Sequence, residues 1–382
     1  MSASFSADDH RFMARALRLA ERGLYTTDPT PRVGCVLVRQ GQVIGEGWHR
    51  RAGEPHAERN ALAAAGGGAR GATAYVTLEP CSHHGRTPPC SQGLIDAGVS
   101  RVVAAMPDPN PLVGGEGLAE LRAAGIETEV GLLQADAESL NPGFLKRMRH
   151  GRPYVRCKLA MSLDGRTAMA SGESQWITGA AARGDVQLLR ARSSAVLTGI
   201  GSVLADDPSM NVRLSAADLH GVENDDYLRQ PLRVVMDARL RTPPRARMLA
   251  LGGETLIVCG EGASHDTEAE LRAAGADVLR LLQLGGRIDL SGTLQALASR
   301  GANELLIESG ATLAGSALWA GLVDELIVYM APHLMGDAAR GLVSLPGLER
   351  LDERIGLRFR DVRRVGDDLR VELVPVLRSG SD

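Results

Sequence analysis

Residues 8–23 read as a helix with Phe12, Leu17, Leu19 and Ala20 on one face, Arg11, Arg15, Arg18 and Arg22 elsewhere, and Gly23 as a stop. Residues 33–38 and 43–47 are mostly apolar and flank Arg39-Gln40-Gly41-Gln42, a hairpin pattern. Pro55 precedes a helix-like run over 56–65 that stops at Gly66-Gly67-Gly68. Short strands follow at 74–78 and 102–105, and helices at 90–97 and 118–124, closed by Gly98 and Gly125. This alternation predicts a three-layer α/β domain of about 145 residues.

His150-Gly151-Arg152-Pro153 is the boundary the sequence suggests, dividing the chain into 1–150 and 151–382. The second part again alternates. Strand runs fall at 154–159, 195–198, 232–236, 255–258, 304–307 and 325–330, and helices at 185–192 and 268–274, so a second α/β domain is expected. Residues 215–230 are polar and read as a surface loop.

With 382 residues, two cores fit the length better than one. Residues 1–150 are charge-balanced and the whole chain has a net charge of -3, which argues against a nucleic-acid partner. No apolar run approaches the roughly 18 residues of a membrane span, and the charged start (Asp8, Asp9, His10, Arg11) does not resemble a signal peptide. Five cysteines are too few for a disulfide framework, and a cytoplasmic chain is expected. Only Lys146 and Lys158 are lysines among 43 basic residues, so a surviving lysine marks a place where arginine will not serve.

The sharpest chemical signal is His56-Ala57-Glu58, followed by Glu79-Pro80-Cys81 and then Cys90. One imidazole and two thiolates form the three-ligand set of a catalytic zinc, which leaves a fourth position open. Such a zinc lowers the pKa of a bound water to about 7. Glu58 sits two residues from His56, and on a regular helix that spacing turns the two side chains apart, so it suits an acid/base better than a ligand. Zinc deaminases combine these roles. Cys35, Cys157 and Cys259 lie in apolar runs and read as core; His83 and His84 read as loop positions beside the pocket.

Cytidine-type deaminases usually space their cysteines as Cys-x-x-Cys, whereas eight residues separate Cys81 from Cys90 here. The run from Thr77 to Cys90 closely resembles the RibD family of bifunctional riboflavin-biosynthesis enzymes. So do Gly53-Glu54-Pro55-His56-Ala57-Glu58, Asp108-Pro109-Asn110-Pro111, Ser171-Gly172-Glu173-Ser174-Gln175-Trp176 and Leu204-Ala205-Asp206-Asp207-Pro208. The resemblance implies a cytidine-deaminase-like first domain and a dihydrofolate-reductase-like second. The first would hydrolytically deaminate 2,5-diamino-6-(5-phosphoribosylamino)pyrimidin-4(3H)-one; the second would reduce the ribosyl chain to ribityl with NADPH.

Carried over to this chain, the resemblance makes His56, Cys81 and Cys90 the zinc ligands and Glu58 the proton shuttle. His49 would contact the pyrimidine and Arg86 the phosphate; otherwise these are an exposed strand-end histidine and a solvated loop arginine. One departure stands out: Thr30 occupies a position where the family usually carries asparagine, exchanging a two-way amide for one hydroxyl.

The second half has no Gly-x-Gly-x-x-Gly after a strand. Its glycine-bearing turn at 308–313 opens a helix-like run, where backbone N–H groups can hold phosphate. The resemblance assigns NADPH contacts to Ala160, Trp176, Ser202, Asp206, Gly310, Ala311, Thr312 and Leu313. It assigns substrate contacts to Ser174, Arg190, Met210, Arg213 and Glu308. Lys158, read at a strand end, is the candidate catalytic cation. The bland readings are a core Trp176, a solvated Arg190 and a solvent lysine. A homo-oligomer, dimer or tetramer, is expected, with a small phosphoribosyl pyrimidine as substrate and no membrane partner. The alternatives are a nucleic-acid base deaminase with an accessory domain and a zinc-stabilised binding module without catalysis.

Overall fold

The computed structural model describes residues 5–82, 89–111 and 113–376. The chain forms two compact units: Met1–Gly151 with Ser215–Arg229, and Arg152–Leu214 with Gln230–Asp382. None of the helices among the described residues is long and apolar enough to cross a membrane.

The first unit is built on a five-stranded sheet. Its spatial order is Gln42–Trp48, Gly34–Arg39, Thr73–Val76, Arg101–Ala104 and Glu127–Val130. The first two strands form the expected hairpin, Gly34–Arg39 pairs antiparallel with Thr73–Val76, and the rest run parallel. The opening helix Ala7–Glu21 buries Phe12, Met13, Ala16, Leu17 and Ala20 and is fixed at its start by a capping box between Ser6 and Asp9. Helix Ala57–Ala65 lies against the hairpin as closely as glycine permits. A Cβ on Gly45 would stand 2.3 Å from Ala61 O, and one on Gly47 would stand 2.5 Å from Ala57 O.

The second unit carries a nine-stranded sheet. Its order is Asp277–Leu281, Thr255–Gly260, Leu232–Met236, Ala195–Gly199, Glu304–Glu308, Tyr154–Ser162, Glu325–Ala331, Asp368–Pro375 and Leu357–Val365. Neighbours are parallel as far as Glu325–Ala331; the C-terminal hairpin adds two antiparallel strands at one edge. Successive residues of the central strands bury on opposite faces. Leu305 and Ile307 join one core and Leu306 the other, and Val234 and Val235 divide in the same way.

Residues 215–230 contain two short 3-10 turns, Ala216–Asp218 and Asp225–Tyr227, with irregular backbone around them. Lys158 is not at a strand end: its strand continues through Leu159, Ala160 and Met161 to Ser162.

Candidate functional sites

In the first unit, His56 is the N-cap of helix Ala57–Ala65, with extended backbone, and Glu58 is in that helix's first turn. The helical phase argued from sequence therefore does not govern this pair, because His56 lies just outside the helix. Cys90 opens the next helix, Cys90–Ala97. Cys81 follows the Thr73–Val76 strand and is tied to its partner ligand's helix, Ser91 N–H donating to Cys81 O at 3.1 Å.

His56 Nδ1 lies 3.5 Å from Cys81 Sγ and 3.4 Å from Cys90 Sγ, and the three ligand atoms all fall within 4.8 Å of one another. A tetrahedral ion bonded at about 2.3 Å to sulfur and about 2.0–2.1 Å to nitrogen sets those atoms about 3.5 Å apart. The donor set and its spacing thus fit zinc with one open position. Hydrogen bonding from the Cys90 thiol, and then from His56, pulls the Cys81 thiol well below its usual range. Burial pushes the Glu58 carboxyl up to about 7 against the pull of His56.

His49 is buried, not an exposed strand-end group. Its ring stands edge-on to His56, centroids 5.3 Å apart. Its Nε2 is 2.8 Å from Thr30 Oγ1, which donates to Thr27 O at 2.5 Å, and its Nδ1 is 3.3 Å from Pro55 O. Burial pulls this imidazole down to about 4, so at neutral pH it is an uncharged hydrogen-bonding group. Arg86, His83 and His84 lie outside the described residues.

Sequence reading passed over Glu79 as a working residue. Its buried carboxylate accepts from the N–H groups of Asp108 at 3.1 Å, Gly115 at 3.0 Å and Leu118 at 3.2 Å, so it anchors the following loop two residues from Cys81. A Cβ on Gly117 would stand 1.9 Å from Pro80 O, which shows how tightly that loop is drawn in. Glu79-Pro80-Cys81 carries a signal, but the carboxylate's partners lie between 29 and 39 residues downstream.

In the second unit, every reductase residue named from sequence lines one cavity of 1240 Å³. Glu308 and Gly199 come from the carboxyl ends of parallel strands, the usual place for a ligand crevice in such sheets. Lys158 faces Glu308 across the strand pair. Arg190, buried in helix Ala180–Arg192, binds both oxygens of Glu308 and also donates to Asn211 O at 3.1 Å. Burial opposes the Glu308 charge, but Arg190 and then Lys158 hold the carboxyl below its usual range. Burial also loosens the proton of the Lys158 ammonium.

Arg213 reaches Ser209 Oγ at 2.9 Å and Asn211 Oδ1 at 3.3 Å. Met210 is buried in the cavity wall. Trp176 is 68% exposed, not core, with the Arg183 guanidinium 4.7 Å from its ring centre. Gly310 caps helix Ala311–Trp319 without a side-chain partner, leaving first-turn N–H groups for a phosphate. Arg183 and Arg340 also line the cavity and were not foreseen; neither belongs to a motif.

Residues 153–371 match the family described as RibD C-terminal domain, and residues 6–106 match the cytidine and deoxycytidylate deaminase zinc-binding region. The chain is 53% identical over 368 residues to the riboflavin biosynthesis protein RibD of Escherichia coli (strain K12), covering 96% of this chain and 99% of that protein. It is 50% identical to the RibD of Haemophilus influenzae over 373 residues, covering 97% and 98%. A solved structure of Acinetobacter baumannii RibD superposes with a TM-score of 0.89 at 46% identity, covering 97% of this chain and 99% of that one. A Thermotoga maritima diaminohydroxyphosphoribosylaminopyrimidine deaminase/5-amino-6-(5-phosphoribosylamino)uracil reductase does so at 0.82 and 31% identity, with the same coverage.

Proposed function

The chain belongs to the RibD family, the bifunctional zinc-dependent deaminases and NADPH-dependent reductases of riboflavin biosynthesis, and from that premise we propose how its two sites divide the chemistry. The substrate of the first step is 2,5-diamino-6-(5-phosphoribosylamino)pyrimidin-4(3H)-one. Its hydrolysis exchanges the 2-amino group for oxygen and releases ammonia.

His56, Cys81 and Cys90 would hold a zinc ion, whose chemistry there would be to activate a water at neutral pH. Glu58 takes the proton from water and delivers it to the departing amine. Its burial beside the ligand set supports this role, since a carboxyl with pKa near the working pH passes protons efficiently. His49, neutral and backed by Thr30, meets the pyrimidine, and Arg86 meets the phosphate.

In the reductase site the cavity residues would hold NADPH, which would supply the hydride for C1′ of the ribosyl chain. The C1′–O4′ bond opens and O4′ takes a proton. Lys158 is positioned to give that proton, and its desolvation makes the ammonium a readier acid. Arg190 fixes Glu308 for the ribose hydroxyls, while Arg213, Ser174 and Met210 meet the rest of the substrate. Ala160, Trp176, Ser202, Asp206 and the turn from Gly310 to Leu313 hold the cofactor.

We take residues 1–150 as the deaminase and 151–382 as the reductase. The chain is read as a cytoplasmic homo-oligomer with no nucleic-acid or membrane partner; the five free cysteines support the cytoplasmic reading, and the balanced charge of the first half supports the lack of a nucleic-acid partner. The observation that carries the reading is the His56–Cys81–Cys90 cluster beside buried Glu58. The test is to supply the diaminopyrimidine with and without NADPH and weigh the products. Deaminated ribosyl product alone, then ribityl product once NADPH is added, is expected; an unchanged pyrimidine in both reactions refutes the reading.

A further inference from the structure

We propose that Ser215–Arg229, although inserted within the reductase half of the sequence, is a positioning element of the deaminase site. It clamps the two loops that hold His49. The inference rests on the reading of His49 as the group that meets the pyrimidine.

His49 is held from two sides. Residues 26–30 supply Thr30 Oγ1, 2.8 Å from Nε2. Residues 50–55 supply Pro55 O, 3.3 Å from Nδ1, and lead directly into His56. Ser215–Arg229 packs as part of this same unit and touches both loops. Arg229 pairs with Asp28 at 3.2 Å on the first. Glu223 pairs with Arg50 at 3.5 Å on the second, and the Arg51 guanidinium lies 5.3 Å from the centre of the Tyr227 ring.

A third hold reaches the strand end. Gly221 has φ +81°, and a Cβ there would stand 2.3 Å from Arg22 O, so the two backbones are in direct contact. The Arg22 guanidinium lies 3.6 Å from the centre of the Trp48 ring, and Arg50 approaches the same ring at 4.7 Å. Trp48 immediately precedes His49.

The segment is itself braced. Asp218 Oδ2 accepts from Ser215 N–H at 2.8 Å, Asn224 caps the second turn, and Asp225 Oδ1 accepts from Ala216 N–H at 2.7 Å. None of its residues lines the reductase cavity. Its contacts therefore serve the deaminase loops. The Arg50–Glu223 pair is exposed and the Arg51–Tyr227 contact is a cation–π contact, and such contacts are individually weak; the Arg229–Asp28 pair is half-buried. Their shared effect is on the position of His49, a binding group, so its loss should appear in KM and not in kcat.

The test uses the full-length zinc-loaded protein with Glu223→Ala and Tyr227→Ala combined. The deaminase KM should rise roughly three- to tenfold with kcat within about twofold of wild type. Zinc content and reductase kinetics should be unchanged. Tyr227→Phe, which keeps the ring, should behave as wild type. Gly221→Val, which cannot keep the backbone contact, should reproduce the KM effect. An unchanged deaminase KM in the double variant overturns the proposal, as does loss of zinc together with kcat, which would mark a general packing role. His49→Ala separates the two failures. If it raises KM while the double variant does not, the clamp is wrong; if it leaves KM unchanged, the reading of His49 is wrong.

Discussion

Arg190 and Glu308 meet through two parallel hydrogen bonds, Nε to Oε1 at 2.6 Å and Nη2 to Oε2 at 2.8 Å, in the wall of the reductase cavity. The pair joins a helix to the strand beside Lys158 and fixes which way Glu308 points.

Arg190→Lys should therefore be costly despite keeping the charge. Lysine cannot bind a carboxylate in a planar fork. Breaking a buried pair of this kind costs about 2 kcal/mol or more, so reductase kcat/KM should fall by roughly 30-fold or more. Steady-state reduction of the pre-deaminated substrate measures it. A loss under about threefold would show that the fork is dispensable.

Lys158→Arg tests the other cation of the cavity. Arginine stands for a cation almost everywhere else in this chain, but its wide planar head is a poor substitute for a compact ammonium on the strand position opposite Glu308, whose carboxylate Arg190 already binds through both oxygens. A displacement of about 1 Å in the bound substrate can cost on the order of 100-fold in rate. Single-turnover hydride transfer should slow by that order while ammonia release is unaffected. Wild-type transfer would make Lys158 a bystander.

Glu58→Gln should retain full zinc and lose most deamination. The amide keeps the shape but cannot carry a proton, and such assistance is worth about 10²- to 10⁴-fold. Metal analysis and ammonia release on the same sample decide it; near-normal turnover at full occupancy would remove Glu58 from the mechanism.

Glu79→Gln addresses a residue that does not reach the metal. Its oxygens accept three backbone N–H groups, and an amide nitrogen in place of one oxygen turns an acceptor into a donor facing a donor. The loop that packs on Pro80 should loosen and carry Cys81 with it. Zinc affinity should fall by about 10- to 100-fold. Competition with a chelator measures this, and unchanged affinity would confine Glu79 to the loop.

The zinc cluster is legible in the sequence because its ligands sit in short local motifs, two of them at helix starts and Cys81 in the loop after a strand. The reductase cavity was not legible from pattern alone. Its residues arrive from several separate strands, helices and loops, and only the resemblance joined them. The sequence sets no sharp end to the strand that holds Lys158, since Ala160 and Met161 after Leu159 are also apolar, and pairing with Glu325–Ala331 carries the strand to Ser162. The Leu357–Val365 strand was missed because an arginine-rich edge, exposed over most of its length, shows no clear alternation of buried and exposed positions. The association of Ser215–Arg229 with the first unit left no periodic trace, since ion pairs, a ring contact and one close glycine carry it.

Two independent chemistries share one chain, and Cys81→Ala tests this most directly. Removing one thiolate leaves zinc two of its three protein ligands. Both activities should be followed on one preparation: ammonia release from the diaminopyrimidine, and NADPH oxidation with the pre-deaminated substrate. Deamination should vanish while NADPH oxidation stays at the wild-type rate. Loss of both from a protein that remains folded, or retained deamination with no bound zinc, would contradict it.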